Sequence, residues 1–214
     1  MSTQTHLDHQ TRLNQILEAA RILIATGGID ALTVRGVSSK IGVTEAAIYR
    51  HVSSKEEILI LLLEDVRVSL MSTIREATSA DGGSLDKLEH LLQLHLSFIE
   101  ARRGLSFVVI AQAAQFQEAR VRASGKGLVE EYLSVVEQII REGIAGGEID
   151  QSINPSAAAT IFFGMVQASV TRWLFDSAEH PLSENVLSLW RLYRSSLMPR
   201  RVTARPPGPG ENSV

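Results

Sequence analysis

The 214-residue sequence contains no cysteine. That absence excludes disulfides, thiol nucleophiles and cysteine-ligated zinc together, and it fits a reducing cytoplasm. Excess positive charge is missing too: 21 Lys and Arg stand against 24 Asp and Glu, a formal net charge of −3. A protein that coats nucleic acid indiscriminately is basic throughout, so any DNA contact here must come from a local basic face. Long hydrophobic runs are also lacking. The most apolar one, Ile58 to Leu63, is far too short to cross a bilayer and runs straight into Glu64 and Asp65. The opening MSTQTHLDHQTRLNQ has no apolar stretch of signal-peptide length, so the expected location is the cytoplasm, with no membrane partner.

Catalytic signatures are absent as well. Ser124-Gly125-Lys126-Gly127 has the glycines and lysine of a phosphate loop. It lacks the upstream glycine spacing, the Ser or Thr after the lysine and the preceding strand. His90 and His95 are five residues apart, which does not place two metal ligands on one helix face. No Ser/His/Asp arrangement or internal repeat is recognisable. The expectation is a protein that is not an enzyme and carries no cofactor or metal.

What is present is helix almost throughout, an all-α chain of about nine helices. The first spans Thr11 to Thr26, with Ile16, Ala19, Ala20, Leu23 and Ile24 on one face, and Gly27-Gly28 ends it. Thr33 caps a short second helix to about Lys40, Gly42-Val43 makes a tight turn, and Thr44 caps a third through His51. Ser54-Lys55-Glu56-Glu57 reads as a capping box opening a long fourth helix to about Thr78. Asp81 to Ser84 breaks the pattern. Helices follow at about 84–102, 105–116 and 118–145, where Gly125 and Gly127 are expected to kink or split the last. Asn154-Pro155 starts another, to about Ser177, and the final one runs from Ser183 to Met198. The tail from Pro199 is too poor in apolar residues to pack and is expected to be disordered.

Two short helices around a Gly-containing turn, inside a three-helix unit, are the makings of a helix-turn-helix. Ile16, Ala20, Leu32, Val37, Ile41, Val43, Ile48 and Ile58 would form its core. A generic helical hairpin would look similar from periodicity alone. The stretch LTVRGVSSKIGVTEAAIYRHVSSKEEIL, Leu32 to Leu59, goes further: it resembles the TetR family of bacterial transcriptional regulators. Thr33, Gly42, Val43, Ile48, Tyr49, His51, Ser54, Lys55 and Glu56 match that family's pattern. Ser38 stands where alanine is usual, and Val52 where phenylalanine is usual; both keep a small or apolar residue.

The resemblance implies a DNA-binding domain at 9–69 with its helix-turn-helix at 33–52. A helical effector-binding and dimerisation domain would occupy 70–198, and a tail 199–214. It implies that Lys55 contacts a phosphate from a helix N-terminus, and that Tyr49 and His51 contact the backbone. Thr33 and Arg35 would touch the backbone from the second helix. Thr44, Glu45, Ala46 and Arg50 are placed to read base edges. Glu45 would accept from cytosine N4 or pair with Arg50. Residues 31–55 hold Arg35, Lys40, Arg50 and Lys55 against acidic Glu45, so the basic face is local, as the net charge demands.

The same resemblance implies a ligand-responsive regulator, a repressor released from a palindromic double-stranded operator by a small, hydrophobic effector. An activator, or a helical interaction protein that has lost DNA binding, are the alternatives. Apolar residues expected to line the effector pocket are Val66, Leu70, Phe98, Phe107, Ile110, Phe116, Tyr132, Phe163 and Trp173. Arg102-Arg103 and Arg120-x-Arg122 are either an anion receptor or a solvated face. The last two helices are expected to form a homodimer interface through Ala158, Phe162, Met165, Ser169, Val186, Leu189, Trp190, Tyr193 and Leu197. Periodicity alone does not separate that from burial within one subunit.

Overall fold

A computed structural model describes residues 2–79, 81–176, 180–182 and 186–199, with side chains from residue 9 onward. The expected tail lies outside these, as do the ends assigned to the last two helices near Ser177 and Ser183. Among the described residues there are nine α-helices and no strand. They are α1 (Ser2–Gly27), α2 (Val34–Ile41), α3 (Glu45–Tyr49), α4 (Lys55–Ser79) and α5 (Ser84–Ala101). After these come α6 (Leu105–Gln115), α7 (Ala119–Ala145), α8 (Pro155–Phe175) and α9 (Val186–Leu197). A 3₁₀ turn, Ile29–Ala31, links α1 to α2.

Local chemistry sets the starts and stops. Thr33 Oγ1 accepts from the Gly36 N–H at 2.9 Å and Thr44 Oγ1 from Ala47 N–H at 3.2 Å, capping α2 and α3. Gly42, at φ 79°, adopts the left-handed conformation that turns the chain between them. Asn154 caps α8, whose first residue is Pro155. The expected capping box at α4 is shifted by one residue. Ser54 Oγ accepts from the Glu57 N–H at 3.4 Å, but the Glu57 carboxylate reaches back to Ser53, accepting from its N–H and its Oγ–H at 2.5 and 2.6 Å. These bonds hold the Glu57 carboxyl below its ordinary pKa.

The expected break near Gly125 and Gly127 does not occur, and α7 runs unbroken. Gly125 is where α6 crosses α7: a Cβ there would stand 2.8 Å from the Ala113 Cβ. The glycine permits close helix approach rather than a kink.

Two cores result. Ile16, Ala20, Leu32, Val37, Ile48 and Ile58 join Leu62 and Leu63 in one, with Ile41 and Val43 packed at its edge. The second, larger core begins at Val66 and draws on α4, α5, α7, α8 and α9. Each fully buried Leu, Ile or Phe in them contributes about 1.5–3 kcal/mol relative to exposure. The cores meet along α4, changing over between Leu63 and Val66. Helix α6 also belongs to the first, through Leu105, Val109 and Ala113.

Candidate DNA-contacting surface and effector cavity

On the first unit, α2 and α3 leave a polar surface. Thr33, Arg35, Lys40, Thr44, Glu45, Ala46, Tyr49 and Arg50 are all exposed. Tyr49 stands out most: at 53% exposure its ring does not pack into the core. Ile48, on the opposite face, is fully buried and anchors α3. The side chains of Thr33 and Thr44 are engaged in capping, so their first task is to shape the helices that carry the other residues. No ion pair joins Glu45 to Arg50 among the described residues. The His51 ring stacks on His9 of α1, ring centroids 4.9 Å apart. Lys55 Nζ donates to the Ile29 carbonyl at 3.2 Å, tying the start of α4 to the 3₁₀ turn. Arg35, Lys40 and Arg50 are thus exposed cations on or beside α2 and α3, while His51 and Lys55 are half-buried and braced by His9 and the Ile29 carbonyl.

The second unit encloses a cavity between α4, α5, α6, α7 and α8. It is nearly filled, with a cavity volume of about 10 Å³ open to a water-sized sphere. Val66, Leu70, Phe98, Phe107, Ile110, Tyr132 and Phe163 come together on its walls, with Ile99 and Leu128. Two expected members lie elsewhere. Phe116 packs against the first core, because the chain leaves α6 there and turns away. Trp173 is buried in the second core and donates its indole N–H to the His180 carbonyl at 2.8 Å, away from the cavity.

Sequence reading missed the polar residues of the cavity: His95, Ser106 and Gln167. His95 Nδ1 lies 3.0 Å from the Tyr132 hydroxyl, and both side chains are buried. Burial lowers the His95 pKa to about 4 and pushes the Tyr132 hydroxyl up. Ser106 Oγ is buried without a hydrogen-bond partner. The signal was faint but present: a histidine and a serine each fall on the apolar face of a helix.

Of the four arginines Arg102, Arg103, Arg120 and Arg122, Arg102 and Arg122 are engaged within the chain. Arg102 donates to Asp65 at 3.0 Å and Ser69 at 2.9 Å, and its guanidinium lies 4.7 Å from the centre of the Phe98 ring. Arg122 donates to the Phe116 and Gln117 carbonyls. Asp65 also receives Arg21 of α1 at 2.7 Å, so one carboxylate joins α1, α4 and the end of α5. No group of three His, Asp or Glu side chains suited to a metal occurs among the described residues. Among the described residues, no helix is long and apolar enough to cross a membrane.

Six of the nine residues expected at the dimer interface are buried within this chain. Ala158, Phe162, Val186, Trp190, Tyr193 and Leu197 point into the protomer's own core, where the Tyr193 hydroxyl donates to the Ala158 carbonyl at 2.9 Å. Periodicity found the apolar stripe but could not tell which neighbour it faces. Met165, Ser169 and Leu189 are half-buried. On the outward faces stand Ile161, Phe175, Leu187 and Leu192 instead, with Phe175 85% and Leu192 71% exposed.

Comparison with known proteins matches residues 16–62 to the family model for bacterial regulatory proteins of the tetR family. Residues 64–195 match the C-terminal region of YsiA-like proteins. The chain is 27% identical over 187 residues to the nucleoid occlusion factor SlmA of Photobacterium profundum, covering 87% of this chain and 95% of that protein. It is 26% identical over 178 residues to a fatty acid metabolism regulator protein of Bacillus subtilis, covering 82% and 91%. Among solved structures, Bacillus subtilis FadR in complex with stearoyl-CoA superposes with a TM-score of 0.77 at 24% identity, covering 86% of this chain and 98% of that one. The ketosteroid regulator KstR2 of Mycobacterium tuberculosis gives 0.72 at 18% identity, covering 88% and 96%.

Proposed function

The chain belongs to the TetR family of bacterial regulatory proteins, DNA-binding transcriptional regulators, and on that premise we propose that it is a repressor whose operator grip is loosened by an apolar acyl thioester. The observation that carries this is a shared wall. Helix α6 faces the cavity with Ser106, Phe107 and Ile110 and the DNA-binding core with Leu105, Val109 and Ala113. Helix α4 lines the cavity with Val66 and Leu70 and begins at Lys55. A chain that enters a space this thin must part its helices, and both movable walls end in the DNA-binding unit. That supplies the differential contact on which coupling between two sites depends. The acyl-thioester class is supported by the stearoyl-CoA in the FadR neighbour and by the fatty acid metabolism regulator among the relatives.

The DNA-contacting set is Thr33, Arg35, Thr44, Glu45, Ala46, Tyr49, Arg50, His51 and Lys55, with Lys55 leaving the Ile29 carbonyl to meet a phosphate. Two copies are needed, because recognition helices must reach successive major grooves about 34 Å apart. Among the described residues, five of the seven large apolar side chains left exposed lie in or beside α8 and α9. Ile161, Ala168 and Phe175 recur along one face of α8. That outward face is the contact between copies.

Asp65 is the coupling residue. Its two arginine partners come from α1 and from the end of α5 beside Phe98, so a displaced Phe98 pulls on the ion pair that holds α1. Operator binding followed by fluorescence anisotropy tests the scheme. Stearoyl-CoA is expected to weaken it severalfold, and Asp65→Asn to shrink that effect while sparing operator affinity without ligand. Independent binding of ligand and operator would sink the proposal. The SlmA relatives support a second reading, a DNA-binding protein that does not repress genes. It is distinguished by operator affinity that no acyl thioester changes.

A further inference from the structure

The cavity is apolar along most of its wall, yet four of its residues carry hydrogen-bonding groups: His95, Ser106, Tyr132 and Gln167. None of the lining residues is charged. A plain hydrocarbon would leave all four groups facing methylenes. We propose that the ligand of this cavity is an apolar skeleton bearing an uncharged oxygen, a hydroxyl or a carbonyl, which seats among Ser106, Tyr132 and His95.

Three observations bear on this, and they rest on different atoms. Ser106 Oγ is buried, lines the cavity and has no hydrogen-bond partner. A buried hydroxyl left unpaired is costly and rare, and it marks a place for an arriving group. Tyr132 is bonded to His95, but a phenol both donates and accepts. Whichever way the proton lies in that 3.0 Å contact, the hydroxyl keeps a second position for a ligand oxygen. The aromatic packing of Tyr132 on Phe163, ring centres 5.6 Å apart, fixes where that oxygen would be.

The charge of the ligand group follows from what surrounds it. Burial keeps His95 neutral near pH 7, so it offers no cation to a carboxylate. The Arg102 guanidinium, 4.7 Å from the centre of the Phe98 ring, does not line the cavity and is held by Asp65 and Ser69. A carboxylate entering here would lose water and gain no counter-ion. A neutral oxygen loses less and finds partners. The polar group is therefore uncharged, from one of two sources: a substituent on the skeleton, or the carbonyl of an ester or thioester.

This inference deepens the effector reading, and probes built on one ten-carbon chain separate the two. 1-Decanol stands for the hydroxyl, methyl decanoate for the ester carbonyl, and decanoate for the charged form of the same skeleton. Binding is read by calorimetry on the full chain at pH 7.5, and stearoyl-CoA is tested separately by operator release. We expect one neutral probe to bind at least about tenfold more tightly than decanoate, the alcohol if the source is a hydroxyl and the ester if it is a carbonyl. Ser106→Ala and Tyr132→Phe, which remove single oxygens and keep shape, should bring that probe to within about twofold of decanoate. Ser106→Ala should melt no lower than the parent chain, because it deletes an unpaired hydroxyl. Three results would each overturn the inference: decanoate binding as tightly as the neutral probes, no neutral probe binding, or a preference that survives both substitutions. Failure of stearoyl-CoA to release operator would remove the acyl-thioester reading and leave the neutral-oxygen inference standing on the decyl probes.

Discussion

The core beneath the candidate DNA-contacting surface is aliphatic: Ile16, Leu32, Val37, Ile48 and Ile58 are fully buried, and no aromatic ring among the described residues is buried with them. The core of the second unit is built around Tyr132, Phe162, Trp173, Trp190 and Tyr193. The polar bookkeeping of the two units also differs. Around α2 and α3 the Thr33 and Thr44 hydroxyls cap helix ends and Ser38 Oγ donates to the Arg35 carbonyl. In the second unit Ser106 Oγ and the Trp190 indole N–H are buried without partners. A unit with aliphatic packing and capped helix ends, in which Arg21 Nε of α1 is also buried without a partner, has one preferred arrangement, as a surface matched to a rigid duplex requires. A unit with rings, a thin cavity and orphaned donors has a reason to rearrange when something supplies the missing partners.

That contrast can be broken experimentally. The largest effect should come from Phe162→Ala, which empties the centre of the second core and costs about 3–5 kcal/mol in urea unfolding. Since α4 runs through both cores, one cooperative transition is expected to move as a whole. Two separated transitions would show that the units are energetically independent.

Acid should reach the second unit through His95. Its folded pKa, about 4, lies below the ordinary 6.5. The unfolded chain therefore binds this proton more readily, and stability falls as pH drops from about 6.5 to about 4. The loss approaches about 3 kcal/mol. His95→Gln should flatten that part of the stability–pH curve; a curve unchanged by the substitution would mean the imidazole is hydrated.

The smallest change in stability belongs to the other surface. Arg50→Ala should weaken operator binding by about 1–3 kcal/mol, or about uniformly across sequences if Arg50 meets phosphate. It should leave the melting temperature within error, because the side chain is exposed.

The two units were unequally legible in the sequence. Caps, a left-handed glycine and a turn are local signals, so Thr33, Gly42 and Thr44 announced the geometry that the structure shows. Spacing on α4 to α8 identified apolar faces, but which face meets which neighbour is a tertiary fact. For that reason Phe116 and Trp173 fall outside the cavity, and Phe162, Trp190 and Tyr193 turn inward rather than toward a second copy. Gly125 was misread for the same reason: a helix-breaking residue and a helix-crossing residue look alike until the partner, Ala113, is placed. His95, weighed only as a metal ligand, and Ser106 were not assigned to the cavity, because a polar residue on an apolar face gives only a faint signal.

The thinness of the cavity has a bearing on dose. Space that must be opened before it is filled makes the concentration at half-response depend on how often the helices part unaided. If the parted arrangement is roughly one molecule in a hundred, the apparent dissociation constant is roughly a hundredfold above the intrinsic one. Packing at the α6–α7 crossing, where Ala113 meets Gly125, would then calibrate the sensor without touching its ligand. Related regulators could be tuned to scarce or abundant effectors by altering methyl groups at such crossings while every contact with the effector stayed the same.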